Sequence, residues 1–216
     1  GNMSITGEEG RGPVKAGISV ADLGAGMFGV IGVLLALQAR NSSGRGQRVD
    51  TSLMEGQLAM LSYHLTSYFA TGRPPVRRGA ASQLSVPYQA FQAKDDWVVV
   101  AAFTQRMWQG VCRAIERPEW EADERFCSSN LRAANRAILI PLLAEVFATA
   151  TVDEWVTRLS AQGVPCTSVN SIDKVVKDEQ VAARDMIVEI EHPTAGTIRM
   201  AGLPVKLSAT PGSVRR

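Results

Sequence analysis

A single acid inside an apolar run is the feature of this sequence that points most directly to chemistry. From Gly17 to Arg40 the chain is mostly apolar, and its one carboxylate, Asp22, is followed by Gly24 and Gly26. Apolar neighbours limit the access of water to a carboxylate, and the two glycines leave room for a ligand or a second backbone to approach. Backbone N–H groups at the start of a helix stabilise an anion. The pattern therefore fits a nucleophilic or acid–base carboxylate.

The same position also fits two unreactive roles. An aspartate near the start of a helix often caps that helix, and an acid at the surface is simply hydrated. Taken by itself, the local pattern around Asp22 favours these roles. It leaves the catalytic role open.

The remaining reactive side chains predict no second site. His64 falls inside a predicted helix and His192 beside a predicted hairpin turn, and two such histidines form neither a catalytic triad nor a metal site. Cys112, Cys127 and Cys166 are too widely spaced for a disulfide framework or a zinc site. We therefore expect no metal, and we expect a reducing compartment, the cytoplasm.

Composition narrows the range of partners. The chain has 216 residues, of which 45% are hydrophobic and 20% charged, and its net charge is +2. These values are typical of an ordinary globular protein and predict neither a nucleic-acid partner nor a membrane partner. The apolar stretch from Met27 to Ala39 is shorter than the roughly 20 residues that cross a bilayer. We therefore expect it to lie in a helix buried in a protein core.

Two predicted helices must position the acid. The first is predicted from about Val20 to Ala39, and because apolar residues surround it we expect burial on every side. Gly44 follows as a stop signal. A short strand-like link leads to a second helix, predicted from a cap at residues 50–52 to about Ala70.

A linker rich in glycine, proline and arginine separates these helices from a differently patterned region. It reads TGRPPVRRGAAS. Two apolar runs around AKDD then predict a β-hairpin, and a second hairpin is predicted around Pro193–Gly196. Between them, Thr151 and Glu154 have the spacing of a capping box. Helices with local hairpins predict an α+β fold, in which the first helix and the link after it suit a fragment of a wound α/β domain.

Seven ordered stretches cover essentially the whole chain, namely GNMSITGEEGRGPVKAGISVADLGAG, GRGQRVDTSLMEGQLAML, VPYQAFQAKDDWVVVAAF, PEWEADERF, NRAILIPLL, GVPCTSVNSI and EIEHPTAGTIRMAGLPVKLSATPG. In sequence and in order they resemble the family III CoA-transferases. This group includes formyl-CoA transferase, carnitine CoA-transferase and α-methylacyl-CoA racemase.

The resemblance implies that Asp22 is the catalytic nucleophile. In this family an aspartate before a buried helix takes CoA from an acyl-CoA donor as an aspartyl-CoA thioester and passes it to a carboxylic acid acceptor. Coenzyme A and acyl-CoA are then substrates, and no covalently bound cofactor is expected. The resemblance places oxyanion donors or close contacts at Gly24 and Gly26.

The resemblance also implies a division into domains. Residues 1–70 correspond to the remnant of a large, Rossmann-like CoA-binding domain that includes the nucleophile helix. Residues 71–83 correspond to a linker with a lid loop, and residues 84–205 to a smaller α+β domain of hairpins and helices. Residues 206–216 correspond to the start of the return to the large domain.

The lid loop that covers the nucleophile in this family has its counterpart at Gly79, Ala80 and Ala81. This stretch carries fewer glycines than the lid of formyl-CoA transferase.

The chain begins well inside the family pattern, so we expect a fragment without the N-terminal half that holds most CoA-binding residues. Such a fragment is expected to be inactive alone. The full-length protein is expected to be an interlocked homodimer, and its partners an acyl-CoA and a small carboxylic acid.

Two alternatives to a CoA-transferase remain. Racemases of this family use a glutamate after the strand that reads VVVAA here, but this chain continues with FTQRMW, which has Thr104 and no acid. A transferase is therefore favoured over a racemase. The third possibility is a non-catalytic interlocking or oligomerisation fragment with exposed apolar surface.

Overall fold

The first third of the chain is helical. The computed structural model describes residues 1–214. Within them the first four helices are α1 (Asn2–Ile5), α2 (Val20–Ser43), α3 (Leu53–Met60) and α4 (Ser62–Thr71).

Helices and strands mix in the rest of the described chain. In order, they are β1 (Tyr88–Gln92), β2 (Trp97–Ala101), α5 (Gln105–Ala114), a 3₁₀ helix (Pro118–Glu121), α6 (Ser129–Ala134), α7 (Arg136–Phe147), α8 (Val152–Ala161), β3 (Cys166–Ser168), α9 (Ile172–Val175), α10 (Glu179–Ala183), β4 (Ile187–His192) and β5 (Gly196–Ala201). The fold is mixed α/β.

Helix α2 begins where the sequence predicts and ends four residues later. Its last residue is Ser43, and Gly44 follows with a φ of 68°, donating its N–H to the carbonyl of Arg40. A left-handed φ suits glycine, which has no Cβ to clash with the backbone. The glycine therefore sets the end of the helix.

The prediction that α2 is buried is wrong for the described chain. Of its 24 residues only Gly24 is buried. Mean hydropathy in α2 reaches 2.1 over an 18-residue window, so by length and composition the helix could cross a membrane. The prediction that its apolar stretch is too short to do so, based on Met27 to Ala39, is therefore wrong. A core helix of a soluble protein has the same length and composition. Its exposed large apolar side chains are Leu23, Met27, Phe28, Val30, Ile31, Val33, Leu34, Leu35 and Leu37.

The opposite face of α2 carries small residues and explains this exposure. A Cβ at Gly29 would contact Thr51, and one at Gly32 would lie 2.7 Å from Cγ1 of Val49. The link before α3 therefore packs closely on the glycine face. The large side chains consequently point away from α3 and from the link before it.

The single second helix of the sequence prediction is divided in two. Ser52 caps α3 as predicted, since its hydroxyl accepts the N–H of Glu55. The helix then breaks at Leu61, which has φ −86° and ψ 11° and separates α3 from α4. No strand forms in the link of residues 45–52.

The first predicted hairpin is confirmed. Strands β1 and β2 pair antiparallel, with Tyr88 opposite Ala101 and Gln92 opposite Trp97. Strand β3 pairs antiparallel with the other edge of β2. The sheet order is therefore β1-β2-β3.

The buried core lies between this sheet and helices α5, α7 and α8. Val98 and Val100 of β2 are fully buried. The ring of Phe147 stacks on Phe91, with centroids 4.6 Å apart, and meets the edge of Trp155 at 4.9 Å. Trp155 and Trp108 are both buried in this core. The predicted capping box of α8 is also present.

The second predicted hairpin is confirmed as well. Strands β4 and β5 pair antiparallel in a separate two-stranded sheet. No helix or strand follows in residues 202–214, and residues 215 and 216 of the predicted return segment lie outside the described residues. All described strands pair antiparallel. A Rossmann-like large domain therefore stays a prediction.

Candidate active site

Asp22 lies in the first turn of α2 and does not cap it. The N-cap is Ser19, whose side chain makes no capping hydrogen bond. The N–H groups of Ala21 and Asp22 have no backbone acceptor within residues 1–214. Such open N–H groups carry partial positive charge and stabilise an anion that binds at the helix start. The capping interpretation of Asp22 is therefore wrong.

The Asp22 carboxylate is exposed and lies on a cleft of about 210 Å³. Lys15 and Gln57 lie on the same cleft. The carboxylate makes no hydrogen bond or ion pair within the described residues. The expectation that apolar neighbours keep water away from it is wrong for this chain, because Leu23 points outward and is itself exposed. The carboxylate is thus free to react.

Gln57 also lies on this cleft, although the sequence does not predict it as a site residue. Its Nε2 is buried and has no hydrogen-bond partner in the described part of the chain. In the sequence it is the polar residue that follows Gly56 in the helix LMEGQLAM. Only this interruption of an apolar pattern could have drawn attention to it.

The predicted close approach at Gly24 involves a second backbone. A Cβ at Gly56 of α3 would lie 3.2 Å from the amide nitrogen of Ala25 and 3.3 Å from the carbonyl carbon of Gly24. A Cβ at Gly24 would lie 2.9 Å from Cε of Met60. Helix α3 therefore crosses α2 at these two glycines, and the crossing brings Gln57 to the first turn of α2.

Gly26 has no such neighbour. Nothing in the described structure lies within 4 Å of a Cβ placed there. The open space leaves room for a ligand or a further chain, and the oxyanion role of Gly24 and Gly26 stays a prediction.

The predicted lid loop is held against the N-terminal segment. Gly79 has a φ of 58°, and its N–H donates to the carbonyl of Gly7 over 2.8 Å. The Glu8 carboxylate fills the space where a side chain at Gly79 would begin. Arg78 pairs with Glu9 at 3.8 Å. The loop is thus ordered at this end by backbone and charge contacts.

Two arginines one helical turn apart hold the other end of this loop. Arg136 Nη2 donates to the carbonyl of Ser82 over 2.7 Å, and Arg132 Nε donates to the carbonyl of Val86 over 2.9 Å. Burial lowers the pKa of the Arg136 guanidinium, and the positive charge of Arg78 lowers it further. These contacts fix the loop on α6 and α7.

The lid and the acid do not share a cleft in the described structure. None of Gly79, Ala80 and Ala81 lies on the cleft of Asp22. The role of this loop as a lid therefore stays a prediction.

Thr104, in the segment that follows β2, has a structural role. It is the N-cap of α5, and its hydroxyl accepts the N–H of Met107 over 3.2 Å. The side chain is therefore committed to the helix start.

Comparison with known proteins gives consistent matches along the whole chain. The family model of CoA-transferase family III matches residues 1–216. The human succinyl-CoA:glutarate CoA-transferase is 32% identical over 208 residues, which are 96% of this chain and 48% of that protein. The succinyl-CoA:mesaconate CoA-transferase of Haloarcula hispanica is 33% identical over 97% of this chain and 52% of that protein.

A solved structure shows the same fold. The crystal structure of a CAIB/BAIF family protein from Brucella suis matches with a TM-score of 0.78 and 30% identity. The match covers 97% of this chain and 54% of that one. The chain therefore spans about half the length of the curated relatives and the solved structure that it matches.

Proposed function

The chain belongs to CoA-transferase family III, and from this premise we propose that it takes part in transfer of CoA from an acyl-CoA to a carboxylic acid. The observation that carries the proposal is the free carboxylate of Asp22, in the first turn of α2 on an open cleft. A nucleophile must be both unpaired and accessible, and Asp22 meets both conditions.

The proposed reaction begins with two exchanges at Asp22. Its carboxylate oxygen attacks the thioester carbonyl of the donor, and the C–S bond breaks to release CoA thiolate and leave a mixed anhydride. The thiolate then attacks the Asp22 carbonyl. The donor acid leaves with its electron pair, and an aspartyl-CoA thioester remains. Each step replaces one activated acyl bond by another, so no single barrier carries the whole exchange.

The second half of the reaction runs in the opposite sense. The acceptor carboxylate attacks the Asp22 thioester carbonyl and expels CoA thiolate. The thiolate attacks the acyl carbonyl of the acceptor in the new anhydride, and the Asp22 carboxylate is regenerated. Open N–H groups in the first turn of α2 support the negative charges that develop in these steps.

A dicarboxylic acid is the proposed substrate class. The two curated relatives described above are named for succinyl-CoA with glutarate or mesaconate, and all three acids carry a second carboxylate. Lys15 lies on the cleft of Asp22, where its ammonium group suits that second charge.

A complementary polypeptide region is proposed to complete the enzyme. Residues 1–70 then belong to a CoA-binding domain, residues 71–83 to the lid and its linker, residues 84–205 to the smaller domain, and residues 206–216 to the return. The exposed apolar face of α2 supports burial against such a region in an interlocked homodimer. The chain alone is then inactive, and we place the enzyme in the cytoplasm.

The racemase alternative has less support. Racemases of the family carry a glutamate in the segment after β2, where this chain has Thr104, which caps α5. No acid in the segment FTQRMW replaces it.

Turnover by the native assembly, which is this chain together with the complementary polypeptide region, tests the proposed CoA transfer through Asp22. With succinyl-CoA and glutarate as probes, Asp22→Asn lowers kcat roughly 10⁴-fold or more, the scale seen when a catalytic side chain is removed. Asp50→Asn is the matched control, because Asp50 is an exposed aspartate that pairs with Arg48 and does not line the cleft. Full activity of Asp22→Asn overturns the proposal.

A further inference from the structure

One buried donor beside Asp22 lacks a partner. The Nε2 atom of Gln57 is shielded from solvent and makes no hydrogen bond within residues 1–214. Buried side-chain donors are nearly always paired in folded proteins, because leaving one unpaired costs free energy. A donor kept in this state calls for an acceptor that is bound only during function.

The position of Gln57 on the molecule identifies that acceptor. Gln57 and Asp22 lie on the same cleft. Gln57 follows Gly56, where an added Cβ would meet the backbone of Gly24 and Ala25. That contact leaves α3 little freedom to slide along α2, since the opposing atoms are backbone. The Gln57 amide is therefore held at the start of α2, where substrate acyl groups meet Asp22 in the proposed function.

We propose that Gln57 is a further catalytic residue, whose Nε2 donates a hydrogen bond to the carbonyl oxygen of the acyl group attacked by Asp22. This inference rests on the proposed function of Asp22. When the carboxylate attacks, the electron pair of the C=O bond moves to oxygen, and the oxyanion accepts the Gln57 N–H. When the intermediate collapses, the pair returns to form C=O and the CoA thiolate leaves. No proton is transferred, so the amide acts without titrating.

An amide suits this task better than the cationic side chain on the cleft. Lys15 is exposed and charged, and it would attract a carboxylate in the ground state as strongly as an oxyanion. A neutral, buried donor interacts more strongly as negative charge grows on the oxygen, so it lowers the barrier rather than only tightening binding.

Three substitutions in the native assembly test the inference. Gln57→Met keeps the length of the side chain and removes the donor, Gln57→Glu replaces the donor by an anion, and Asp22→Asn reports the nucleophile. Gln180→Met is the matched control, because Gln180 is an exposed glutamine on α10, outside α2 and outside the cleft of Asp22. Steady-state kinetics with succinyl-CoA and glutarate, and urea denaturation of each variant, supply the readouts.

The expected result separates catalysis from structure. Gln57→Met lowers kcat about 100-fold with little change in KM, the scale of a lost oxyanion donor. Its urea midpoint is equal to or above that of the parent, since an unpaired buried donor has been removed. Gln57→Glu lowers kcat further, and Gln180→Met changes neither quantity.

Other results overturn the inference. A kcat of Gln57→Met equal to that of the parent, or a change confined to KM, removes the catalytic role of Gln57. A fall of the urea midpoint together with kcat shows that the amide has a structural partner. If these results occur while Asp22→Asn is inactive, only Gln57 is reassigned. Full activity of Asp22→Asn overturns the proposed function and the inference together.

Discussion

Asp22 remains free of partners because of where it stands in its helix. It occupies the third position of α2, one turn from a cap that uses no side chain. A carboxylate there is stabilised as an anion by the helix start without being consumed by a hydrogen bond. This combination leaves the carboxylate available to a ligand on the cleft, which is what attack on a thioester requires.

Sequence reasoning finds Asp22 but not Gln57, for a physical reason. Asp22 is conspicuous because it is the one charge in an apolar run. Gln57 matters only because α3 crosses α2 at Gly56 and Gly24. That crossing is a tertiary contact, and no local pattern encodes it.

Thiol chemistry offers a prediction at the scale of one residue. Burial raises the pKa of the Cys112 thiol to about 12. We expect a thiolate-specific reagent at pH 8 to label Cys127 and Cys166 in the folded chain, and Cys112 only after unfolding. Peptide mapping of native and urea-treated protein checks this. Rapid labelling of Cys112 in the folded chain would contradict it.

The same shift fixes the sign of a pH dependence. The folded state favours the neutral thiol, so the stabilising contribution is complete below the ordinary thiol pKa of 9.0. It is lost as the pH rises from 9.0 towards 12, because the unfolded chain ionises first. The urea midpoint of the parent should therefore fall more steeply above pH 9 than that of Cys112→Ala.

At the scale of elements, features that depend on sequence neighbours are predicted correctly, and features that depend on tertiary packing are not. The capping box of Thr151 and Glu154 and the hairpin around AKDD depend on neighbours in sequence, and both form as predicted. The break at Leu61 and the exposure of α2 depend on what packs against those helices. Neither could be derived from periodicity, since an apolar helix has the same pattern whether or not its cover is present.

The crossing of α2 and α3 predicts opposite effects at two glycines. In Gly56→Ala the new Cβ meets backbone atoms of α2, and overpacking of about 1–3 kcal/mol outweighs the roughly 1 kcal/mol gained in helix propensity. Gly26→Ala is the matched control. It has open space around it and should stabilise the helix by about 0.5–1 kcal/mol. Urea denaturation measures both, and a stabilised Gly56→Ala would refute the close crossing.

The anchored loop yields a second prediction for elements. In Arg136→Gln the carbonyl of Ser82 loses its guanidinium donor. Amide hydrogen exchange of residues 79–82 should rise about tenfold, as expected for one lost hydrogen bond, while the amides of β2 remain protected. Arg113→Gln is the control, since Arg113 bonds to Gln162 and Glu121 and not to the loop. Equal exchange in both variants would show that Arg136 does not hold the loop.

At the scale of the whole molecule, α2 is the helix whose large apolar side chains are not packed against other described residues. Its large apolar side chains are exposed along the described helix, whereas the core between the sheet and α5, α7 and α8 is closed. Surfaces of this size and composition mark places where protein meets protein. We therefore assign the exposed apolar face of α2 to an interface with a complementary polypeptide region or a second copy.

This assignment predicts a change in association. Leu35 is 66% exposed on α2, and Leu35→Glu should shift the purified protein towards lower mass in light scattering and weaken its hold on any complementary polypeptide. Ile172→Glu is the matched control, because Ile172 is 82% exposed but lies outside α2. If both variants keep the mass of the parent, the exposed face of α2 is not an interface.

Mass spectrometry during turnover tests directly whether Asp22 carries CoA as a thioester. The native assembly is mixed with succinyl-CoA alone, quenched in acid within seconds and digested, and the peptide that contains Asp22 is weighed. We expect a CoA thioester on Asp22 that disappears when glutarate is added before the quench, and no such adduct in Asp22→Asn. A CoA adduct on another residue, or turnover without any adduct at Asp22, would contradict it.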